Sequence, residues 1–98
     1  MNTRLTPRAV SDLEAIRTFL VPLSPRGAER VRAAIADSID LLAQFPRCGR
    51  DTNMRDVRVL PVVRFPYLLY HLVTRDEVVI LHVRHAARAA PTAGDLFP

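Results

Sequence analysis

Histidines and arginines gather in the last third of the sequence, where they could move protons and bind phosphate. His82 and His85 stand three residues apart, with Arg84 between them. An imidazole titrates near neutral pH and can act as an acid or a base, and a guanidinium matches the oxygens of a phosphate. RNA cleavage requires a base, an acid and a cation. The sequence offers a partial set for it: Arg64, His82, Arg84 and His85.

Structural roles compete with this chemistry. His85 has the parity of a residue on the core face of its strand, so we expect it to bond to the backbone at the strand end. His71 and His82 are expected on a partner surface rather than as a catalytic pair. Cys48 is the only cysteine, which excludes an internal disulfide, and a nucleophilic role is not expected. The spacing of cysteine and histidines predicts no metal site, and we expect no cofactor.

The basic residues are all arginines: the chain has fourteen of them and no lysine. A mechanism that requires a lysine is therefore excluded. The formal net charge of +4 favours an acidic partner, either a protein or a nucleic acid. The alternative is that the arginine bias reflects genome composition.

Length and composition are typical of one small domain. The 98 residues are 49% hydrophobic and 24% charged, which disfavours disorder. No apolar run approaches the roughly 20 residues of a membrane span, and the N-terminus does not look like a signal peptide. We expect a cytoplasmic protein with one domain over residues 1–98. Its core is expected within 2–88, with a tail at 89–98 that hangs loose or lies along an edge strand.

Two helices are predicted from repeated start signals. The Thr-Pro pair at 6–7 and the Ser-Pro pair at 24–25 each place an N-cap before a proline in the first helical position. Apolar residues then recur at helical spacing, and the short link predicts an antiparallel hairpin. The buried stripe predicted for the second helix is Ala28, Val31, Ile35, Ile39, Leu42 and Phe45.

Strands are predicted at the N-terminus and in the second half, at 57–63, 66–73 and 77–85. A tight turn at 74–77 pairs Val73 with Val78, and regular alternation then pairs Tyr67 with Arg84. The fold class is α+β, in the order β-α-α-β-β-β. We expect an N-terminal strand and an antiparallel two-helix hairpin packed on a small antiparallel sheet.

Alternation along the last two strands separates two faces. One face, which carries Leu68, Tyr70 and Leu81, is almost wholly apolar, and we expect the helices to cover it. The other mixes aliphatic with basic and aromatic side chains, which is typical of a partner site. Its predicted partner-binding residues are Tyr67, Leu69, His71, Val78, Ile80 and His82. The alternative is that its aliphatic residues supply strand propensity and are covered by the chain's own tail.

Short motifs follow one another along residues 13–88. They are Leu13-x-x-Ile16, Ile39-x-x-Leu42, Phe45-Pro46-x-x-Gly49-Arg50, Arg58-x-Leu60, Phe65-Pro66-Tyr67-x-x-Tyr70 and Val79-Ile80-Leu81-x-Val83-x-His85-x-x-Arg88. Their types and order resemble the ParE/RelE superfamily of bacterial toxins. The resemblance covers roughly residues 5–88 and implies the toxin of a type II toxin–antitoxin system, held inactive by a cognate antitoxin.

The resemblance implies one of two targets. RelE-like members cleave messenger RNA on the ribosome, with lysines, arginines and a late tyrosine, or with a glutamate, an arginine and a His-Tyr pair. This chain has no lysine, Ala86 follows His85, and no tyrosine follows Tyr70. ParE-like members share the fold, lack that catalytic set and poison DNA gyrase.

We therefore predict a ParE-like toxin that acts by binding. The residues expected to contact the target are Arg84, His85 and Arg88. The antitoxin is expected to lay an amphipathic segment on the predicted partner face, and it could add a strand to the sheet edge. The alternatives are a RelE-like endoribonuclease acting on the ribosome and mRNA, and a degenerate member that only binds antitoxin.

Overall fold

A computed structural model describes residues 1–97 and shows the α+β fold that the sequence predicts. A strand and two helices are followed by four strands and a short final helix. Their bounds are β1 Asn2–Leu5, α1 Pro7–Leu20, α2 Pro25–Gln44, β2 Arg50–Asp51, β3 Val57–Pro61, β4 Tyr67–Val73, β5 Glu77–His85 and α3 Ala93–Leu96. Within residues 1–97, no helix is long and apolar enough to cross a bilayer.

The two long helices begin at the predicted caps. The Thr6 hydroxyl accepts a hydrogen bond from the Ala9 amide at 3.1 Å, and the Ser24 hydroxyl accepts one from the Gly27 amide at 2.9 Å. A proline follows each cap, at a position where its missing N–H leaves no bond unmade. Phe45, predicted in the buried stripe, lies past the last turn of α2 and is 59% exposed.

The strands form one sheet in the order β1-β5-β4-β3-β2. β1 runs parallel to β5 and the other neighbours are antiparallel, so the sheet is mixed. β1 stops pairing at Leu5, opposite Ile80, whereas β5 continues to His85. Within residues 1–97, the last part of β5 therefore has a neighbouring strand on its β4 side only.

A β-bulge changes the register between β4 and β5. The pairs nearest the turn are as predicted, but Tyr70 faces His82 while His71 faces Ile80, which makes Leu81 an extra residue in β5. Beyond it every pair is shifted by one residue from the predicted register, which is wrong there. A bulge places two residues of one strand opposite one of the other, and simple alternation does not anticipate it.

The predicted assignment of the two sheet faces is also wrong. The helices pack on the face that carries Leu69, His71, Val78 and Ile80, each 0% exposed, with Tyr67 at 8%. Most of the predicted antitoxin-binding surface is therefore core and is covered by the chain's own helices. Both faces of β4 and β5 are apolar, so alternation separates them without indicating which one the helices cover.

The C-terminal segment closes the other face. Leu96 of α3 is 3% exposed and belongs to a second apolar cluster with Val57, Val59, Tyr70, Val79 and Leu81. A capping box fixes the start of α3, where Thr92 and Asp95 bond to each other's backbone amides. The prediction of a loose or edge-bound tail is wrong for residues 92–97 because Leu96 is buried. Pro98 lies outside the described residues.

His71 is a histidine inside the main core. Among residues 1–97, neither of its ring nitrogens has a hydrogen-bond partner of acceptable geometry. Burial lowers the pKa of His71, and the nearby carbonyl groups of Leu69, Pro46 and Cys48 oppose this effect only in part. The imidazole is therefore neutral in the folded protein at pH 7.

Replacing Leu96 by alanine should destabilise the protein by about 2–3 kcal/mol, because it removes a buried leucine side chain. Phe97→Ala is the matched control, since Phe97 is 50% exposed, and its effect should stay within about 0.5 kcal/mol. Urea denaturation of both variants measures the difference. Equally small effects would contradict the closure of the second face by the tail.

Acid should destabilise the protein through His71. In the unfolded chain His71 binds a proton near pH 6.5, whereas in the folded chain it binds one only at lower pH. Stability therefore falls as the pH drops below about 6.5, by at most about 1.4 kcal/mol per pH unit, until His71 is protonated in the folded state as well. Urea denaturation at pH 7.5 and pH 5.5 should show a smaller loss for His71→Leu than for the wild type. The same loss in both proteins would show that His71 does not carry the effect.

Candidate functional site

Asp12 joins α1 to the end of β5. Its Oδ2 contacts Nδ1 of His82 at 2.5 Å and accepts a hydrogen bond from the Val83 amide at 3.0 Å, while its Oδ1 accepts one from Nε of Arg8 at 3.1 Å. β1 has already ended here, so without Asp12 the Val83 amide would be a strand donor without a partner. The carboxylate thus fixes the helix against the strand edge.

The two histidines of β5 are held in opposite tautomers. A carboxylate only accepts, so Nδ1 of His82 carries the proton, and Nε2 of the neutral ring is an acceptor. Nδ1 of His85 instead accepts from the Ala87 amide at 3.1 Å, which places the proton of the neutral ring on Nε2. The predicted backbone bond of His85 is confirmed. Its ring also packs edge-on against Tyr67, with centroids 5.5 Å apart.

Arg84 holds the turn that follows β5. Its guanidinium donates to the Tyr70 hydroxyl at 3.0 and 3.2 Å, and to the carbonyl groups of His85, Ala86 and Arg88. These bonds occupy most of the five donors that a phosphate or an acidic partner would otherwise use. Arg84, predicted to contact the target, therefore has a structural role in this fold.

A groove of about 600 Å³ lies between α1, the end of β5 and the C-terminal segment. We call it the cationic groove, and its principal side chains are Arg8, Asp12, Phe19, His82, His85 and Arg88. Its two carboxylates are engaged internally, Asp12 as described and Asp95 with Thr92. Hydrogen bonds from the Thr92 amide and hydroxyl hold the pKa of Asp95 below its usual value.

Arg88 adds an unpaired positive charge to the cationic groove. Within residues 1–97 its side chain makes no hydrogen bond and no ion pair, and the residue is exposed. The guanidinium of Arg8 is shared with Asp12. The groove therefore presents positive charge to any occupant.

A second groove of about 360 Å³ lies between α1 and α2. We call it the apolar groove, because aliphatic side chains line most of it: Val10, Leu13, Ile16, Val31, Ile35 and Ile39. Charged residues of both signs stand at its rim, including Glu29 and Arg32, which form an ion pair at 2.6 Å. This groove suits the apolar side of an amphipathic segment.

The structure gathers the predicted catalytic residues only in part. His82, Arg84 and His85 line the cationic groove, whereas Arg64 lies outside it, in the turn between β3 and β4, with a backbone φ of 74°. Of the predicted antitoxin-binding residues, only Tyr67 and His82 reach this groove. In residues 1–97 no group of three or more His, Cys, Asp or Glu side chains could hold a metal ion.

Sequence reasoning missed Asp12 and Phe19 as members of this site. Asp12 stands outside the apolar stripe of α1, which is formed by residues 9, 13, 16 and 20, and a carboxylate at such a position normally faces water. Phe19 stands beside that stripe, and nothing in its spacing distinguishes it from a core residue. The position of α1 against the edge of β5 is what gives both residues a role, and no local pattern encodes it.

Comparison with known proteins identifies the class. Residues 3–90 match the family described as ParE toxin of type II toxin-antitoxin system, parDE. Toxin RelE2 of Caulobacter vibrioides is 36% identical over 85 residues, covering 85% of this chain and 92% of the relative. Putative toxin Y4kP of Sinorhizobium fredii is 35% identical over 88 residues, covering 90% and 91%.

A solved structure, described as the chromosomal ParDE TA system from P. aeruginosa, matches with a TM-score of 0.78 and 28% identity, over 87% of this chain and 95% of that one. The fold and these similarities define a toxin of a type II toxin–antitoxin system. The chain belongs to the ParE toxin family, within the ParE/RelE superfamily.

Arg84→Ala should destabilise the protein by about 1–3 kcal/mol, because it removes charged hydrogen bonds to Tyr70 and to the turn. Arg88→Ala deletes the same charge without deleting a side-chain bond, so its effect should stay within about 0.5 kcal/mol. Tyr70→Phe should fall between them. Urea denaturation provides the comparison, and equal effects of the two arginine substitutions would contradict the structural role of Arg84.

Proposed function

We propose that this toxin acts in the cytoplasm by binding and poisoning DNA gyrase, as the ParE resemblance implies. One observation carries the proposal: the side chains that could serve RNA cleavage are largely engaged in holding the fold. The guanidinium of Arg84 donates hydrogen bonds to Tyr70 and to the turn, and His82 is bound to Asp12. Binding a protein target requires an exposed surface, and the cationic groove supplies one.

Neutralisation in this proposal occurs at the apolar groove. The similar solved structure is described as a ParDE toxin–antitoxin system, which supports an antitoxin partner. Val10, which is 43% exposed, lies at this groove together with the half-buried Leu13 and Ile39. An antitoxin helix with its apolar side against these residues would remove them from water, and its polar residues could meet the charged rim. This location replaces the predicted partner face, which the helices cover.

A second candidate function, ribosome-dependent RNA cleavage, is favoured by the opposite tautomers of the two histidines. Nε2 of His82 could accept the proton of a 2′-hydroxyl, while the Nε2–H of neutral His85 could donate a hydrogen bond to the leaving oxygen, which takes its proton from water. The expectation that the histidines lie on a partner surface was one argument against RNA cleavage. The helices cover that predicted face, so this argument no longer applies. Similar proteins are named RelE2 and RelE3, so their names do not separate the two functions.

Assays with purified toxin separate the two functions. We expect the toxin to inhibit supercoiling of relaxed plasmid by DNA gyrase and to increase gyrase-linked DNA breaks, while mRNA in a reconstituted translation reaction stays intact. Cleaved mRNA with normal supercoiling would refute gyrase poisoning and establish the second candidate. If the folded protein neither inhibits gyrase nor cleaves mRNA, and its induction does not slow growth, the remaining function is that of a non-toxic family member that only binds antitoxin.

A further inference from the structure

Phe19 is an exposed aromatic residue in the same groove as an unpaired cation. It lies near the end of α1, is 67% exposed and lines the cationic groove together with Arg88 and His85. Leaving a phenylalanine side chain in water forgoes the stabilisation that burial would provide. Aromatic and arginine side chains in a concave site are the residues that most often dominate the affinity of protein interfaces.

The groove favours an acidic protein segment over a nucleic acid. Its two carboxylates are hydrogen-bonded within the chain, and the side chain of Arg88 has no hydrogen-bond or ion-pair partner in residues 1–97. Much of the remaining lining is apolar: Ala15, Ile16, Phe19, Ala87, Ala89 and Pro91. Nucleic-acid sites are more polar and much more strongly positive than this. One free guanidinium beside an apolar wall fits a carboxylate next to an apolar side chain.

Helix α1 separates this groove from the apolar groove. Val10, Leu13 and Arg17 line the apolar groove, whereas Asp12 and Phe19 line the cationic groove. Within residues 1–97, Ile16 is the one residue that lines both grooves. A substitution at Phe19 or Arg88 can therefore alter one groove without altering the other.

We propose that the cationic groove is the surface by which the toxin contacts its protein target, taking an acidic segment whose apolar side chain packs on Phe19 and whose carboxylate pairs with Arg88. The identity of that target as DNA gyrase rests on the proposed function. The target site is distinct from the antitoxin site, and it includes α1, which the sequence-based prediction of Arg84, His85 and Arg88 left out.

Paired substitutions test this proposal. Phe19→Ala and Arg88→Glu should each weaken binding of the toxin to purified DNA gyrase at least tenfold. The matched controls are Phe45→Ala, at a phenylalanine that is 59% exposed outside the groove, and Arg75→Glu, in the turn between β4 and β5. Both controls should bind gyrase as the wild type does. Thermal denaturation confirms that each variant is folded.

A substitution in the apolar groove tests the converse, which is loss of antitoxin binding with gyrase binding retained. Val10→Glu should weaken binding of the antitoxin encoded beside the toxin gene, measured on co-expressed and purified proteins, while gyrase binding is retained. Phe19→Ala should retain the wild-type antitoxin affinity within about twofold, since Phe19 does not line that groove. Equal loss of both partners in Phe19→Ala would contradict separate sites.

Growth arrest on induction without antitoxin distinguishes failure of this proposal from failure of the proposed function. If the wild type arrests growth without binding gyrase, gyrase poisoning is refuted. The groove proposal then stands only if Phe19→Ala and Arg88→Glu relieve the arrest while the two controls do not. Wild-type gyrase binding by a folded Phe19→Ala overturns it, and so does mRNA cleavage that depends on Phe19, because the occupant would then be RNA.

Discussion

The β4–β5 hairpin is apolar on both faces, and the rest of the chain is arranged to cover it. Leaving one large aliphatic side chain in water forgoes about 1.5–3 kcal/mol, and a whole domain is stable by only about 5–15 kcal/mol. Neither face can therefore stay open. The helices cover one, and the C-terminal segment reaches the other through Leu96. The tail is thus part of the folded core rather than an appendage.

The bulge and Asp12 together determine how α1 lies against the sheet. The extra residue Leu81 brings His82 to the side of Tyr70, and the two rings lie 6.0 Å apart. β1 has ended at this level, so a strand amide and an imidazole N–H are both available at the edge. One carboxylate on α1 accepts both bonds. This contact holds α1 against the end of β5, and a groove lies on each side of the helix.

Most of the fold could be predicted from local signals. The two Thr/Ser-Pro caps gave the helix starts, and β5 has the bounds that its pattern predicted. The covered face could not be predicted, because a hairpin that is apolar on both sides leaves alternation without a preference. The tail carried a readable signal: the capping box of Thr92 and Asp95 precedes Leu96, and it marks a helix start.

The site itself was only partly predictable. The backbone bond of His85 was expected at the strand end, but the role of Arg84 depends on four partners, most of them carbonyl oxygen atoms in a turn. Sequence spacing does not describe a turn of this kind. The role of Asp12 could not be predicted for a similar reason, because its partners are about 70 residues away in the chain.

The way in which His82 and His85 are held in the cationic groove bears on whether this site binds a protein or catalyses a reaction. Acid–base catalysis needs its groups held within a fraction of an ångström, on rigid elements and with supported orientations. His82 meets that requirement through Asp12, whereas His85 is oriented by the amide of Ala87, in an exposed turn that Arg84 clamps. A protein interface tolerates such a turn, because its affinity comes from buried area and a few anchors rather than from one geometry. Arg84, which bonds to the carbonyl groups of this turn, thus keeps His85 and Arg88 in place at the groove.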